Sequence, residues 1–343
     1  MSPHKPDPDR PVDVTVVLLG RALPSTSIAP IEIFSSAGTL WQELRGEQPA
    51  PRFRVRTVTL DGKPTRPLMP LTLQPQGAFT DVKRTDLIVM SASGLDPRSP
   101  TENAPLIPWL RRWHARGATI AGVCSGVSLL AETGLLDGKI ATTHWALADQ
   151  FRQRYPKVRW QADRFITQAG RIFCGGGVYS AIDLSLFLVE KYCGHEIAVQ
   201  TAKALLLDTP RVWQSGYATA PPRSAHDDEG IRKAQAFLMR SFKEEVRVEE
   251  LAARVGMSPR NFARRFLAAT GETPLAYLHR LRIDAARHLL EAGKLGVADV
   301  SEAVGYHDLA FFRRLFRRHA GEPPRAYRTR FGPKPRPATA GAA

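Results

Sequence analysis

Residues 248–277 read VEELAARVGMSPRNFARRFLAATGETPLAY, and residues 297–327 read VADVSEAVGYHDLAFFRRLFRRHAGEPPRAY. The second stretch repeats the first. Val255 and Gly256 match Val304 and Gly305 at an offset of 49. One extra residue in the second turn moves the offset to 50, where Phe262, Arg264, Phe266, Gly271, Pro274 and Tyr277 match Phe312, Arg314, Phe316, Gly321, Pro324 and Tyr327. Each copy predicts a short helix, a turn opened by a glycine that supplies positive φ, and a second helix. That order is a helix-turn-helix.

The second helix of each copy is amphipathic. In the first, Phe262 and Phe266 stand four apart and face inward, leaving Arg260, Ala263 and Arg264 outward with Asn261 beside them. In the second, Phe312 and Phe316 face inward while Ala310, Arg313, Arg314 and Arg317 face out. Arginine suits bidentate contact with guanine in the major groove. These eight outward residues are the candidate DNA contacts. A helix over 274–291 would be about 27 Å long, a rigid spacer matched to major grooves roughly 34 Å apart. The competing reading is a helical bundle whose arginines form a solvated or protein-docking face. Two matched copies with the same turn glycine and the same basic face weigh against it.

Charge agrees. The 343 residues carry 48 Lys and Arg against 33 Asp and Glu, a net +15. From 221 to 343 there are 23 basic and 14 acidic side chains, so nine of the fifteen surplus charges fall in the last third. An excess of this kind suits a polyanionic partner. Three cysteines, Cys124, Cys174 and Cys193, are too few and too odd in number for a disulfide framework. The opening MSPHKPDPDRP lacks the apolar core of an export signal, and no apolar run reaches the roughly 20 residues that span a bilayer. A cytoplasmic location is expected, with no membrane partner.

The first two hundred residues alternate strand and helix signals. Strands are predicted at 12–19, 53–60, 86–90 and 118–123, and helices at 28–40, 104–116, 126–133, 146–155, 178–192 and 195–207. The alternation implies a mainly parallel sheet covered on both faces. Residues 208–228 are rich in proline and polar groups, which predicts a linker over about 206–225 between a domain at 12–205 and one at 226–331. Residues 332–343 read as a disordered tail. Beyond the linker everything reads as helix.

Within ATIAGVCSGVSLLAETGLLDGKIATTHW (118–145), a strand runs into Cys124, small residues and a helix. Such an elbow exposes its side chain at the edge of the sheet where α/β folds bind ligands. A helix N-terminus there would lower the thiol pKa, and His144 could approach it. The run from Cys174 through Gly177 lacks the spacing of a phosphate-binding loop and predicts a helix entry near the elbow.

Residues 228–331 resemble the DNA-binding domain of the AraC/XylS family, with its closing G-x-x-P-x-x-Y-R as Gly321, Pro324, Tyr327 and Arg328. The elbow resembles that of the ThiJ/PfpI superfamily, relatives of class I glutamine amidotransferases with a flavodoxin-like sheet. Cys124 matches the nucleophile position and the Thr142-Thr143-His144 string the histidine position. The two domains in this order look like the GlxA-type regulators. The resemblance implies a transcription regulator whose α/β domain dimerises and senses a small, often nitrogenous, metabolite. Many catalytic relatives carry an acid where Thr26 aligns here, which speaks against retained catalysis. Glu32 is left to pair with His144, within the chain or across a dimer, and Cys124, His144 and Glu32 are the remnant candidates. Cys124, Ser125, Thr26 and His144 are the expected ligand contacts. The expected partners are double-stranded DNA, an effector, RNA polymerase and a second copy of the chain; no cofactor or metal is expected. The alternative is a thiol-dependent hydrolase or hydratase with an accessory DNA-binding domain.

Overall fold

The computed structural model describes residues 10–93, 99–207 and 226–332. Most of the expected linker and all but the first residue of the expected tail lie outside the described residues. The chain divides into two compact units, Met1–Gln214 and Ser215–Ala343.

The first unit is built on a seven-stranded sheet. Its strands are β1 (Val12–Val17), β2 (Phe53–Thr59), β3 (Gly77–Ala78), β4 (Leu87–Met90), β5 (Thr119–Val123), β8 (Ile166–Ala169) and β9 (Ile172–Gly175), in the order β3-β2-β1-β4-β5-β9-β8. All neighbours are parallel except β8 and β9. β6 (Ile140–Ala141) and β7 (Arg159–Trp160) form a separate pair. The inner strands β4, β5 and β9 are largely apolar because both faces are covered, whereas β2 exposes Arg54 and Arg56; alternate residues enter different cores. Val12, Val14, Val16, Leu87, Val89, Ala121 and Phe173 face one core with Ile33 and Phe34 of α1 (Ser25–Ser36) and Leu184 and Leu188 of α7 (Ser180–Cys193). Val17, Ile88, Met90, Ile120 and Ile172 face the other, with Trp109 and Trp113 of α4 (Leu106–Ala115) and Leu129 and Leu130 of α5 (Val127–Glu132). α2 (Leu40–Leu44), α3 (Ser99–Glu102), α6 (Ala148–Arg154) and α8 (His195–Ala204) complete the unit.

Two expectations need correction. The helix expected at 28–40 runs from Ser25 to Ser36 and a separate short helix begins at Leu40. The run expected as a helix entry at Cys174 is the end of strand β9, which pairs with β5 so that Gly122 faces Cys174 and Val123 faces Gly175. Three glycines and a four-residue length hid a central strand.

The second unit is helical. α9 (Glu229–Ser241) precedes α10 (Val248–Arg254) and α11 (Pro259–Thr270); α12 (Pro274–Ala292) leads to α13 (Val297–Ala303), α14 (Leu309–Ala320) and α15 (Pro324–Phe331). The turn glycines adopt the expected conformation, with φ of 68° at Gly256 and 87° at Gly305. The G-x-x-P pattern has a plain local cause. Gly271 and Gly321 end α11 and α14 in the left-handed region, and Pro274 and Pro324 occupy the first turns of α12 and α15. The repeat is also geometric. Phe262 and Phe266 have ring centroids 5.5 Å apart at 58°, and Phe312 and Phe316 are 5.7 Å apart at 58°. Phe266 meets Tyr277 edge-on at 5.4 Å, as Phe316 meets Tyr327 at 5.3 Å.

Arg282, buried on α12, ties distant segments of the helical unit together. Its guanidinium donates to the carbonyls of Phe242 and Glu244 after α9 and of Gly305 in the second turn, at 2.6, 2.8 and 2.9 Å. Two carbonyls from the segment between α9 and α10 and one from the second turn thus converge on one planar cation of α12, which fixes these three segments relative to one another.

Phe266→Ala and Phe316→Ala each empty a fully buried site. Each is expected to destabilise the helical unit by about 3–5 kcal/mol, seen as an earlier transition in thermal unfolding of the full chain. A variant that melts with the parent would contradict the shared core geometry.

Candidate DNA interface and thiol elbow

The outward side chains of α11 and α14 follow from their caps and inward rings. Asp308 caps α14, its Oδ1 accepting from the amides of Ala310 and Phe311 at 2.8 and 2.9 Å. Those bonds hold its carboxyl below the usual carboxylate range. With Phe312, Phe316 and Ala320 buried, Ala310, Arg313, Arg314, Arg317 and Arg318 stand exposed. None of the four arginines forms an ion pair among the described residues, and the Asp308 carboxylate at the start of the helix attracts Arg314. α11 is less basic outward. Arg260 and Arg264 are exposed and Asn261 and Ala263 half-buried, and Arg264 donates to the Asn261 amide oxygen at 2.9 Å. Its neighbour Arg265 is spent on structure, donating twice at 2.8 Å to Asp228, the cap of α9. The eight expected DNA contacts therefore fall on the two solvent-facing helix surfaces. Arg318 and Phe311 also reach solvent on α14, and the sequence reading passed over both.

At the elbow Cys124 adopts φ of 55°, in the left-handed region that a side chain occupies only when its surroundings hold it there. Gly126 lets the turn pass the end of β4 so closely that an added Cβ would lie 2.1 Å from the Ser91 carbonyl oxygen. Thr143 donates to the Cys124 carbonyl at 3.0 Å. Ser125 Oγ accepts from the Ser93 amide at 3.1 Å, and Thr26 Oγ1 accepts from the Ala92 amide at 3.1 Å. Thr26, Ser125 and Thr143 are thereby brought to one place, and Thr143, Ser91 and Ser93 are contributors that spacing alone did not single out.

The thiol is not activated. Cys124 is 3% exposed, and burial pushes its pKa up to about 11, against the weaker pull of its hydrogen bonds with Ser125. The expected lowering by a helix N-terminus is corrected. Desolvation of the thiolate outweighs the dipole of a short 3-10 turn and a six-residue helix. Burial also lowers the His144 pKa. Its Nδ1 accepts from the Ala146 amide at 3.1 Å, which places the proton of the neutral ring on Nε2. No hydrogen bond joins His144 to Cys124. Glu32 is exposed on α1 with no hydrogen bond or ion pair to His144 within the chain. Cys174 and Cys193 are likewise raised, by burial, to about 12 and about 11. Among the described residues no three His, Cys, Asp or Glu side chains gather to hold a metal ion, and no helix is long and apolar enough to cross a membrane.

Comparison with known proteins matches residues 251–330 to the family described as "Helix-turn-helix domain" and residues 31–191 to the DJ-1/PfpI family. The chain is 31% identical over 273 residues to the HTH-type transcriptional regulator CdhR of Pseudomonas aeruginosa, covering 79% of this chain and 80% of that protein. It is 26% identical to the HTH-type transcriptional regulator GlxA of Rhizobium meliloti, over 71% of this chain and 75% of the relative. Isonitrile hydratase of Pseudomonas putida is 33% identical over 50% of this chain and 69% of the enzyme. A flavodoxin-like α/β unit followed by paired helix-turn-helix units is the architecture of a DNA-binding transcription regulator. The chain belongs to the AraC-type regulators that carry an N-terminal DJ-1/PfpI domain.

With burial pushing its pKa up to about 11, Cys124 is held as the neutral thiol near neutral pH. Alkylation of Cys124 in the native chain, mapped by mass spectrometry, is expected to be slow at pH 7–8 and to accelerate toward pH 10. Rapid labelling at pH 7 would contradict the buried, unactivated thiol.

Proposed function

We propose that the protein is a metabolite-responsive activator that binds DNA as a homodimer. α11 and α14 enter successive major grooves, with Arg260, Asn261, Ala263 and Arg264 of the first and Ala310, Arg313, Arg314 and Arg317 of the second facing base edges and phosphates. The observation that carries this reading is the four exposed arginines of α14, none in an ion pair among the described residues, held outward by Phe312 and Phe316. Phosphate contacts supply salt-dependent affinity, and base-edge contacts supply choice of site. α12, at 19 residues about 28 Å long, supports the spacing between the two helices.

The α/β unit receives the effector beside the elbow, at Cys124, Ser125, Thr26 and His144. The hydroxyls gathered there suit a small polar molecule, and family membership supports a nitrogenous one. Catalysis has been given up in this reading. A buried thiol of raised pKa, a threonine at the acid position and an isolated Glu32 all lack what a thiol nucleophile needs. Bound effector alters the dimer on DNA, and the complex recruits RNA polymerase. The domains divide at 12–205 and 226–331, joined by 206–225.

One observation favours a second reading, a thiol hydratase or hydrolase with an accessory DNA-binding domain: the left-handed backbone at Cys124, a conformation found at nucleophile elbows. Turnover of an isonitrile or amide abolished by Cys124→Ala, with DNA binding unchanged, would establish it.

Arg264→Ala and Arg314→Ala are each expected to weaken binding to a footprinted cognate site by about 1–3 kcal/mol, with less loss on unrelated DNA. Arg318→Ala is expected to weaken both alike and to reduce the salt dependence by about one phosphate contact. Titration by fluorescence anisotropy at several salt concentrations measures both. Parent-like binding by both Arg264→Ala and Arg314→Ala would contradict the assigned reading face.

A further inference from the structure

Most equivalent outward positions on the two recognition helices carry different chemistry, Arg264 and Arg314 being the shared pair. At the offset of 50, Arg260, Asn261, Ala263, Arg264 and Leu267 correspond to Ala310, Phe311, Arg313, Arg314 and Arg317. Phe311 stands out among them. It follows a residue that faces solvent and precedes Phe312, which is fully buried, yet the residue is itself 37% exposed. An aromatic ring in that position leaves apolar area in water that burial elsewhere would stabilise.

Nor is the ring loosely held. The His279 and Tyr306 rings each lie 5.9 Å from it, and those two are themselves joined through His279 Nδ1 and Tyr306 OH at 2.8 Å. The Phe311 amide is fixed by Asp308, and the Arg314 guanidinium lies over the ring at 5.9 Å. The result is a braced apolar face in the first turn of α14, the end of a recognition helix that meets base edges. The apolar mark in the major groove is the C5 methyl of thymine, and phenylalanine is among the side chains that contact it.

We infer that Phe311 reads a thymine methyl in the DNA segment faced by α14, with Arg314 one turn on as its polar neighbour. This rests on the reading of α14 as a groove-entering helix. The same position in the first copy is Asn261, whose amide matches the paired donor and acceptor of adenine. The two units are therefore built to read unlike sequences, and the binding site of one protomer is two different boxes and not a direct repeat.

The test uses the full chain and its strongest footprinted site, with each thymine in turn replaced by deoxyuridine, which removes only the methyl group. One replacement is expected to weaken parent binding about fourfold, the effect of exposing one methyl. Phe311→Ala is expected to bind the thymine site more weakly by a similar factor and to bind thymine and uracil versions of that position equally. Phe311→Leu, which keeps an apolar surface, is expected to retain part of the discrimination, and thermal melting verifies that each variant is folded. If Phe311→Ala still distinguishes thymine from uracil, or if no thymine methyl matters to the parent, the inference fails. Arg314→Ala separates the two layers. Loss of affinity in Arg314→Ala alongside either of those results overturns Phe311 alone, whereas parent-like binding by Arg314→Ala overturns α14 as the reading helix. A solvent-exposed ring that serves a protein partner would give Phe311→Ala with unaltered DNA binding.

Discussion

The edge-on contact between the second inward phenylalanine and the closing tyrosine, Phe266 with Tyr277 and Phe316 with Tyr327, is the interaction on which the helical unit depends. α10 and α13 have seven residues each and α11 and α14 twelve, all too short to persist alone in water. They hold their shape because one ring cluster per copy joins the two helices of the unit to the helix that follows. Every outward residue on α11 and α14 owes its direction to these buried rings. Arg282 then ties α12, the segment after α9 and the second turn into one body, because a guanidinium with three carbonyl partners tolerates little rotation between them.

In the α/β unit the governing constraint is the close approach at Gly126. The turn at Cys124 can pass the end of β4 only without a side chain at 126, and it brings Ser125 and Thr26 onto the segment that leaves that strand. The same closeness buries the thiol. A helix N-terminus and a neighbouring histidine would favour a reactive thiolate in the open. Here burial is the largest influence, so the elbow keeps the strained backbone of a nucleophile site without its ionisation.

Much of this was legible in the sequence. The repeat declared itself through residues whose local role is unambiguous: glycines that open a turn or end a helix, prolines that start one, and aromatic residues four apart. The elbow was legible for the same reason, since a cysteine between a β-branched run and small residues allows few backbone paths. What escaped depended on contacts distant in sequence. β9 is four residues long beside three glycines, and pairing with β5 and β8 makes it a strand. The pairing of Arg265 with Asp228, 37 residues away, is likewise invisible in local sequence. Phe311 was passed over beside Phe312, because the α-helical wheel places it at the margin of the buried face. The thiol pKa was misjudged because sequence displays the helix behind Cys124 but not the depth at which it lies.

A hydroxyl-radical footprint of the full chain on its strongest chromosomal site tests the central claim most directly. Two α-helical readers on one rigid spacer require each protomer to protect two stretches on one face of the duplex, about one helical turn apart. Protection confined to a single groove, or even protection without any preferred sequence, would contradict the account of paired recognition helices.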